Sequence, residues 1–419
     1  LSMAVHRCTG VGKCRADTTV SGGVMCPSFL ATRDEKDSTR GRARVLQDVV
    51  AGRLGWDAPA LWDSLDLCLS CKGCSSDCPT GVDMASYKAE ALHQRYRRRL
   101  RPLSHYSLGM LPRWARLVTA AAPVTRAVNA VLSSRVLHPL VTRGAGVDPR
   151  RALPRFATTT FRTWWGARPA AMPASHGDVV LFVDTFTDTF SPDVGRAAVA
   201  VLEDAGYRVR LTARPTCCGL TWISTGQLDT ARRQVGATVR ALAPHVQAGA
   251  AVVGLEPSCT GVLRSDALEL LTGPDLALAT EVAAATKTLA ELLAATPGWA
   301  PPDLSGVTGV AQPHCHHHAV MGWSPDAALL RSAGADVRRL GGCCGLAGNW
   351  GVEQGHHDVS VAVAEQQLLP ALRGTGPDDV VLADGFSCRT QIEQLSQRSG
   401  EHLAVLLARH LQPPTPPPS

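Results

Sequence analysis

A chain of 419 residues has room for two or three separately cored units, and with 45% hydrophobic and 19% charged residues it has a globular rather than a disordered composition. A net charge of +6 over that length is too dilute to point to nucleic acid. No run of eighteen uncharged apolar residues and no export signal is present, the longest candidate, 118–132, being broken by Pro123 and Arg126. The expectation is a cytoplasmic protein without a transmembrane segment or a nucleic-acid partner. Of the 14 cysteines, seven lie between Cys8 and Cys78, seven between Cys217 and Cys388, and none between these groups. Clusters this tight in a long chain favour metal binding over disulfides.

Residues 1–101 read as an α-helical, ferredoxin-like 4Fe-4S domain. The run Cys68-Leu-Ser-Cys71-Lys-Gly-Cys74-Ser-Ser-Asp-Cys78-Pro79 has the C-x2-C-x2-C-x3-C-P spacing of bacterial two-cluster ferredoxins. Three closely spaced thiolates grip one iron–sulfur cube, and the proline turns the fourth towards a second. Cys26-Pro27 is the reciprocal donor to the cube of Cys68, Cys71 and Cys74. Its companions Cys8 and Cys14 leave the middle ligand position at Val11. The first site therefore has Cys8, Cys14 and Cys78, which suits a 3Fe-4S cluster or a 4Fe-4S cluster with one iron on water or a non-cysteine side chain. A reshaped loop with only one cluster formed is the alternative.

Asp37-Ser38 predicts the cap of a helix from about Thr39 to Arg53 that carries Arg40, Arg42 and Arg44 towards the clusters. The next helix starts near Met84 and ends in Arg95, Arg97, Arg98, Arg99 and Arg101. These arginines suit an acidic partner or an anionic membrane surface, and equally the dipole at a helix C-terminus. Residues 102–176 form a helical connector with no metal or catalytic constellation. Its Trp114, Trp164 and Trp165 are read as core contacts, with a membrane interface as the alternative.

The remainder repeats. The strand over 178–184, a helix over 197–205 and the strand over 208–211 lead to Cys217-Cys218-Gly219. A helix near 229–242 and the strand over 251–255 lead to Cys259. The second copy has strands over 307–311, 336–340 and 380–383, a helix near 326–333, and Cys315, Cys343-Cys344-Gly345 and Cys388. The offset is 126 residues from Cys217 to Cys343 and 129 from Cys259 to Cys388, so the copies hold register. Alternating strands and helices predict two small parallel α/β units, 177–300 and 301–411, with ligands at the carboxyl ends of the strands. The fold class is thus mixed. A proline-rich tail, 412–419, is expected to be disordered.

The second copy offers Cys315, Cys343, Cys344 and Cys388, enough for a further cluster or a tetrahedral zinc. The first offers only Cys217, Cys218 and Cys259, with the counterpart of Cys315 near Thr185. His314, His316, His317 and His318 flank Cys315; each is read singly as hydrogen-bonded or exposed, with ligation or proton transfer at that rim as the alternative.

With both halves in view, the chain resembles the iron–sulfur portion of FAD-linked 2-hydroxyacid oxidoreductases, the glycolate oxidase iron–sulfur subunit and the fused D-lactate or D-2-hydroxyglutarate dehydrogenases. The resemblance rests on Arg7-Cys8 to Cys14, Met25-Cys26-Pro27-Ser28, Ser38-Thr-Arg40-Gly41-Arg42, the run ending Cys78-Pro79, and the Cys-Cys-Gly units with Glu256-Pro-Ser-Cys259 and Asp384-Gly-Phe-Ser-Cys388. It implies electron transfer from a flavin to a quinone or another acceptor, on a chain that is cytoplasmic or peripheral at the inner face of the membrane. No G-x-G-x-x-G follows a strand, so FAD is expected on a partner subunit or on a domain upstream of Leu1, as in fused members. Heterodisulfide reductase and anaerobic glycerol-3-phosphate dehydrogenase subunits share the Cys-Cys-Gly domain but often end in C-x2-C, where this chain has Cys388 followed by Arg389, Thr390 and Gln391. The rival readings are a thiol–disulfide catalyst and a structural zinc scaffold.

Overall fold

The structure, a computed structural model, describes residues 1–169 and 174–411. The tail predicted over 412–419 lies outside the described residues, as do 170–173 of the connector.

The N-terminal region is helical. Ser38 Oγ accepts from Gly41 N at 2.9 Å and starts the helix Thr39–Val50, three residues shorter than its predicted span. Its Ala43, Leu46 and Val49 pack with Leu61 and Leu65 of the helix Pro59–Asp66 and with Met84, Tyr87 and Ala91 of Met84–Arg95. Cys14, Cys26, Cys68 and Cys74 belong to the same buried cluster, so the sulfurs form part of the core.

Among the described residues of the connector there are five short helices, from Leu103–Ser107 to Phe161–Ala167. Trp164 and Trp165 pack against buried hydrophobics as core contacts, whereas Trp114 is 45% exposed. No helix among the described residues is long and apolar enough to cross a membrane.

The repeat folds into two parallel sheets. Strands β1 (Asp178–Phe182), β2 (Arg208–Arg210), β3 (Ala251–Gly254) and β4 (Thr286–Thr288) run in the order β2-β1-β3-β4; β5 (Thr308–Ala311), β6 (Asp336–Arg339) and β7 (Val380–Leu382) run β6-β5-β7. All pairings are parallel, with Val180 opposite Val252 and Val310 opposite Val381. Apart from β4, the second sheet repeats the order of the first. β1 is buried along nearly its whole length, as strands covered on both faces are. The units share one core: Leu403, Leu406 and Leu407 of the C-terminal helix Leu403–His410 join Val194, Ala198 and Leu202 of the helix Pro192–Asp204. The end of the second copy thereby covers the first.

Candidate metal centres

Two devices bring Cys26 to the ferredoxin run. Asp77 Oδ2 accepts from Val24 N at 2.7 Å and Met25 N at 2.9 Å, tying the segment before Cys26 to the helix Gly73–Asp77. Gly73 packs so closely on Val24 that a Cβ there would stand 2.9 Å from its side chain. The backbone is left-handed at Ser70 and Lys72, on either side of Cys71; turns of this kind present amides to bound anions, iron–sulfur centres included. Lys72 is itself buried. Its Nζ lies 2.6 Å from Asp83 and 3.0 Å from Asp266, locking the loop to the first repeat unit.

Cys26, Cys68, Cys71 and Cys74 line one small cavity, and all four are buried. Four thiols around one small cavity are a donor set that fits a 4Fe-4S cube. Burial pushes the Cys71 and Cys74 thiols well up, and neighbouring sulfurs add to both shifts. Cys26 goes the other way. Burial would raise it, but the Arg42 guanidinium and hydrogen bonds from Ser28, Phe29 N and Thr39 hold it below the ordinary thiol value. Arg42 Nη1 is 3.5 Å from Cys26 Sγ, and its Nε donates to Ser64 O at 2.7 Å.

Around the incomplete first motif, Cys14 lies close enough to Cys26 and Cys8 for both, after burial, to push its thiol up. Arg40, at the start of the same helix as Arg42, pairs with Glu35, its Nε donating to Oε1 at 2.8 Å, and only secondarily feels Cys14 and Cys8. Val11 is 66% exposed and points away. Cys8 and Cys78 are the two half-buried cysteines, both at the margin of the N-terminal core, and Cys78 Sγ shares a hydrogen bond with Thr80 Oγ1 at 3.2 Å.

In both repeat units the cysteines gather beyond the carboxyl ends of the strands. Cys343 lies close enough to Cys315 and Cys344, and Cys344 to Cys388, for their thiols to interact. The neighbouring Cys343 and Cys388 thiols hold Cys344 below the ordinary thiol value, while Cys343 is raised by Cys315 first and Cys344 second, and Cys388 by Cys344. Gly345 carries the chain out of this site at φ +89°, and a Cβ there would meet Ser360 O. The first copy repeats the layout with one ligand changed: Cys218 and Cys259 stand 2.8 Å apart, while Cys217 has Thr185 beside it where Cys343 has Cys315. Cys217 is raised by Cys218 first and burial second, Cys218 by burial, and burial pushes Cys259 up to about 12.

Nothing in the sequence signals that the second repeat unit abuts the ferredoxin loop, yet Cys71 and Cys315 share one buried cluster and interact electrostatically. The histidines around Cys315 fasten this junction. His316 Nε2 lies 3.1 Å from Ser70 O, and His318 Nε2 lies 2.7 Å from Asp77 Oδ1. His314 Nε2 is 3.4 Å from Ser387 Oγ. Beside the junction opens a cavity of ≈ 720 Å³, lined by Cys68, Cys71 and Cys315, by Phe186, Phe190 and Phe386, and by Glu256.

Fold and sulfur placement put a ferredoxin-like, cysteine-bearing helical domain ahead of two Cys-Cys-Gly α/β units. Residues 4–82 match the family described as 4Fe-4S dicluster domain, and 182–264 the family described as Cysteine-rich domain. The chain is 29% identical over 299 residues to a subunit of the anaerobic glycerol-3-phosphate dehydrogenase of Escherichia coli, a match that takes in 70% of this chain and 74% of that one. To the glycolate oxidase iron-sulfur subunit of Escherichia coli it is 24% identical over 420 residues, 97% of this chain and 94% of the relative. A D-2-hydroxyglutarate dehydrogenase of Pseudomonas putida is 25% identical over 98% of this chain, which spans only 43% of that protein. The chain is an iron–sulfur electron-transfer part homologous to these oxidoreductases.

Proposed function

We propose that this chain, divided at about 101, 176 and 300, relays electrons one at a time from a flavin on a partner subunit or domain to a quinone, the flavin having oxidised a 2-hydroxyacid of the glycolate, D-lactate or D-2-hydroxyglutarate class. The observation that carries this is that Cys71 and Cys315 lie in one buried cluster and line one large apolar cavity, which brings the ferredoxin site beside the second Cys-Cys-Gly site. Cys26, Cys68, Cys71 and Cys74 hold one 4Fe-4S cluster; Cys8, Cys14 and Cys78 hold the incomplete one, of 3Fe-4S or open 4Fe-4S type. Cys315, Cys343, Cys344 and Cys388 hold a further cluster or zinc, and Cys217, Cys218 and Cys259 a weaker site. When bound, such clusters supply one-electron transfer.

The protein's own groups do the rest. Arg42 sets positive charge against Cys26, and the Lys72 ion triad fixes the loop that carries Cys71. The aromatic cavity is of the size and apolarity that suit a planar organic acceptor. A quinone takes up two electrons and two protons. Glu256, on the cavity wall, is pushed up to about 7 by burial first and by Asp184 second, and so holds a proton near neutrality. The connector supports access from a bilayer: Trp114 and Val118 line the cavity, and Leu117, Leu140 and Val136 of the same segment are 64%, 64% and 76% exposed among arginines.

The test is anaerobic reoxidation of the dithionite-reduced protein by a short-chain quinone, with and without anionic vesicles. Reoxidation that vesicles accelerate is expected. Reoxidation by ferricyanide but not by quinone refutes the acceptor and leaves the relay standing.

A further inference from the structure

A separate polar cluster lies beyond the carboxyl ends of β5 and β7, around a cavity that no cysteine lines. His317 opens the π-helical turn His317–Met321, Asp326 lies in the first turn of the helix Ser324–Ser332, and Asp384 follows β7. One donor atom from each lies within 4.8 Å of the other two. His317 Nε2 and Asp326 Oδ2 face each other at 3.2 Å, their side chains 3% and 4% exposed. The pair is too poorly aligned to form a hydrogen bond, and neither atom has another partner. Gln312 Oε1 is likewise buried without a partner and belongs to the wall of the same cavity, ≈ 10 Å³, as His317, Asp326 and Asp384.

Unpartnered groups at this depth each cost about 1–3 kcal/mol, and three around one cavity call for a common partner. A plain ion pair does not supply it, because it leaves Gln312 Oε1 without a donor. His402 does not supply it either. Its Nδ1, 3.7 Å from Asp384, accepts from Ala404 N at 2.9 Å, and its Nε2 donates to Leu255 O at 3.1 Å, so the ring is neutral and fully used. A cation meets every requirement. Ligands about 2.1 Å from a tetrahedral zinc lie roughly 3.4 Å from one another, close to the observed His–Asp spacing, and imidazole with carboxylate is a zinc donor set.

We propose that His317, Asp326 and Asp384 bind one zinc-class divalent cation, with Gln312 Oε1 as the fourth donor. His317 lies two residues beyond Cys315 and Asp384 four residues before Cys388. The ion pins together the two segments that bring those sulfurs to one rim. It is structural, and the proposal stands whether or not the acceptor is a quinone.

The test uses the full, cluster-loaded protein given zinc alone and then desalted. Metal analysis is expected to show one zinc per chain that Asp326→Asn and Asp384→Asn each lose while iron and sulfide stay unchanged. Zinc X-ray absorption of the unaltered protein is expected to show nitrogen and oxygen at about 2.0–2.2 Å; sulfur at about 2.3 Å would place the metal on the cysteines instead. No retained zinc, a sulfur shell, or full zinc content in both variants overturns the proposal. The absorption measurement decides the matter even if the variants fold poorly.

Discussion

Arg42 Nη1 lies 3.5 Å from Cys26 Sγ with both side chains buried, so a fixed cation stands against the sulfur that closes the site of Cys68, Cys71 and Cys74. A nearby cation favours the more negative, reduced state of whatever that site holds. Arg42→Met is expected to lower the midpoint potential by tens of millivolts, about 59 mV being tenfold in a one-electron equilibrium. Potentiometric titration checks it; an unchanged potential would separate Arg42 from any redox centre.

The two repeat units should differ in metal retention. Cys388→Ser opens a four-sulfur site and is expected to remove metal and destabilise the C-terminal unit, whereas Cys259→Ser alters a set in which Thr185 already stands for a ligand and should cost less. Metal per chain and thermal unfolding of both variants check this. Undiminished metal in Cys388→Ser would show that the second unit is no metal site.

Val11 faces solvent between Gly10 and Gly12, both at positive φ, in a loop that can turn a side chain inwards. Val11→Cys is expected to complete C-x2-C-x2-C and raise iron by about one per chain if the first cluster has three irons. Unchanged iron and an unchanged spectrum would mean that the loop does not approach a cluster.

Much of this architecture is legible in the sequence, and the gaps have physical causes. β1 and β3 are short β-branched runs ended by turns, and their repetition at fixed spacing predicts the parallel units. β4 escapes because Thr286–Thr288 is only three residues long and runs directly into a helix capped by Thr288 and Glu291. The common core escapes because nothing local in Leu403–His410 says that its apolar face covers another unit. The Cys71–Cys315 junction is hidden for the same reason, its fasteners being long-range bonds such as His318 to Asp77. That Thr185 takes the place of Cys315 is visible in both, since repeat register alone points to it.

Glu256 makes stability depend on pH. Its folded carboxyl is raised to about 7 from 4.5, so the folded state holds the proton more tightly than the unfolded one. Stability is therefore full below about pH 4.5 and is lost as pH rises through 7, by about 3 kcal/mol for a shift of that size. Glu256→Gln keeps an acceptor for Phe386 N, 2.8 Å away, and is expected to flatten the loss between pH 5 and 8 in denaturant titrations. An unchanged slope would place the titration elsewhere.

The most direct test of the central claim is electron paramagnetic resonance of the anaerobically purified protein, before and after dithionite, alongside iron and acid-labile sulfide analysis. The account predicts cluster signals, with at least four irons and four sulfides per chain held by Cys26, Cys68, Cys71 and Cys74, and their loss in Cys71→Ser. Silent spectra in both states, with zinc as the only bound metal, would contradict it.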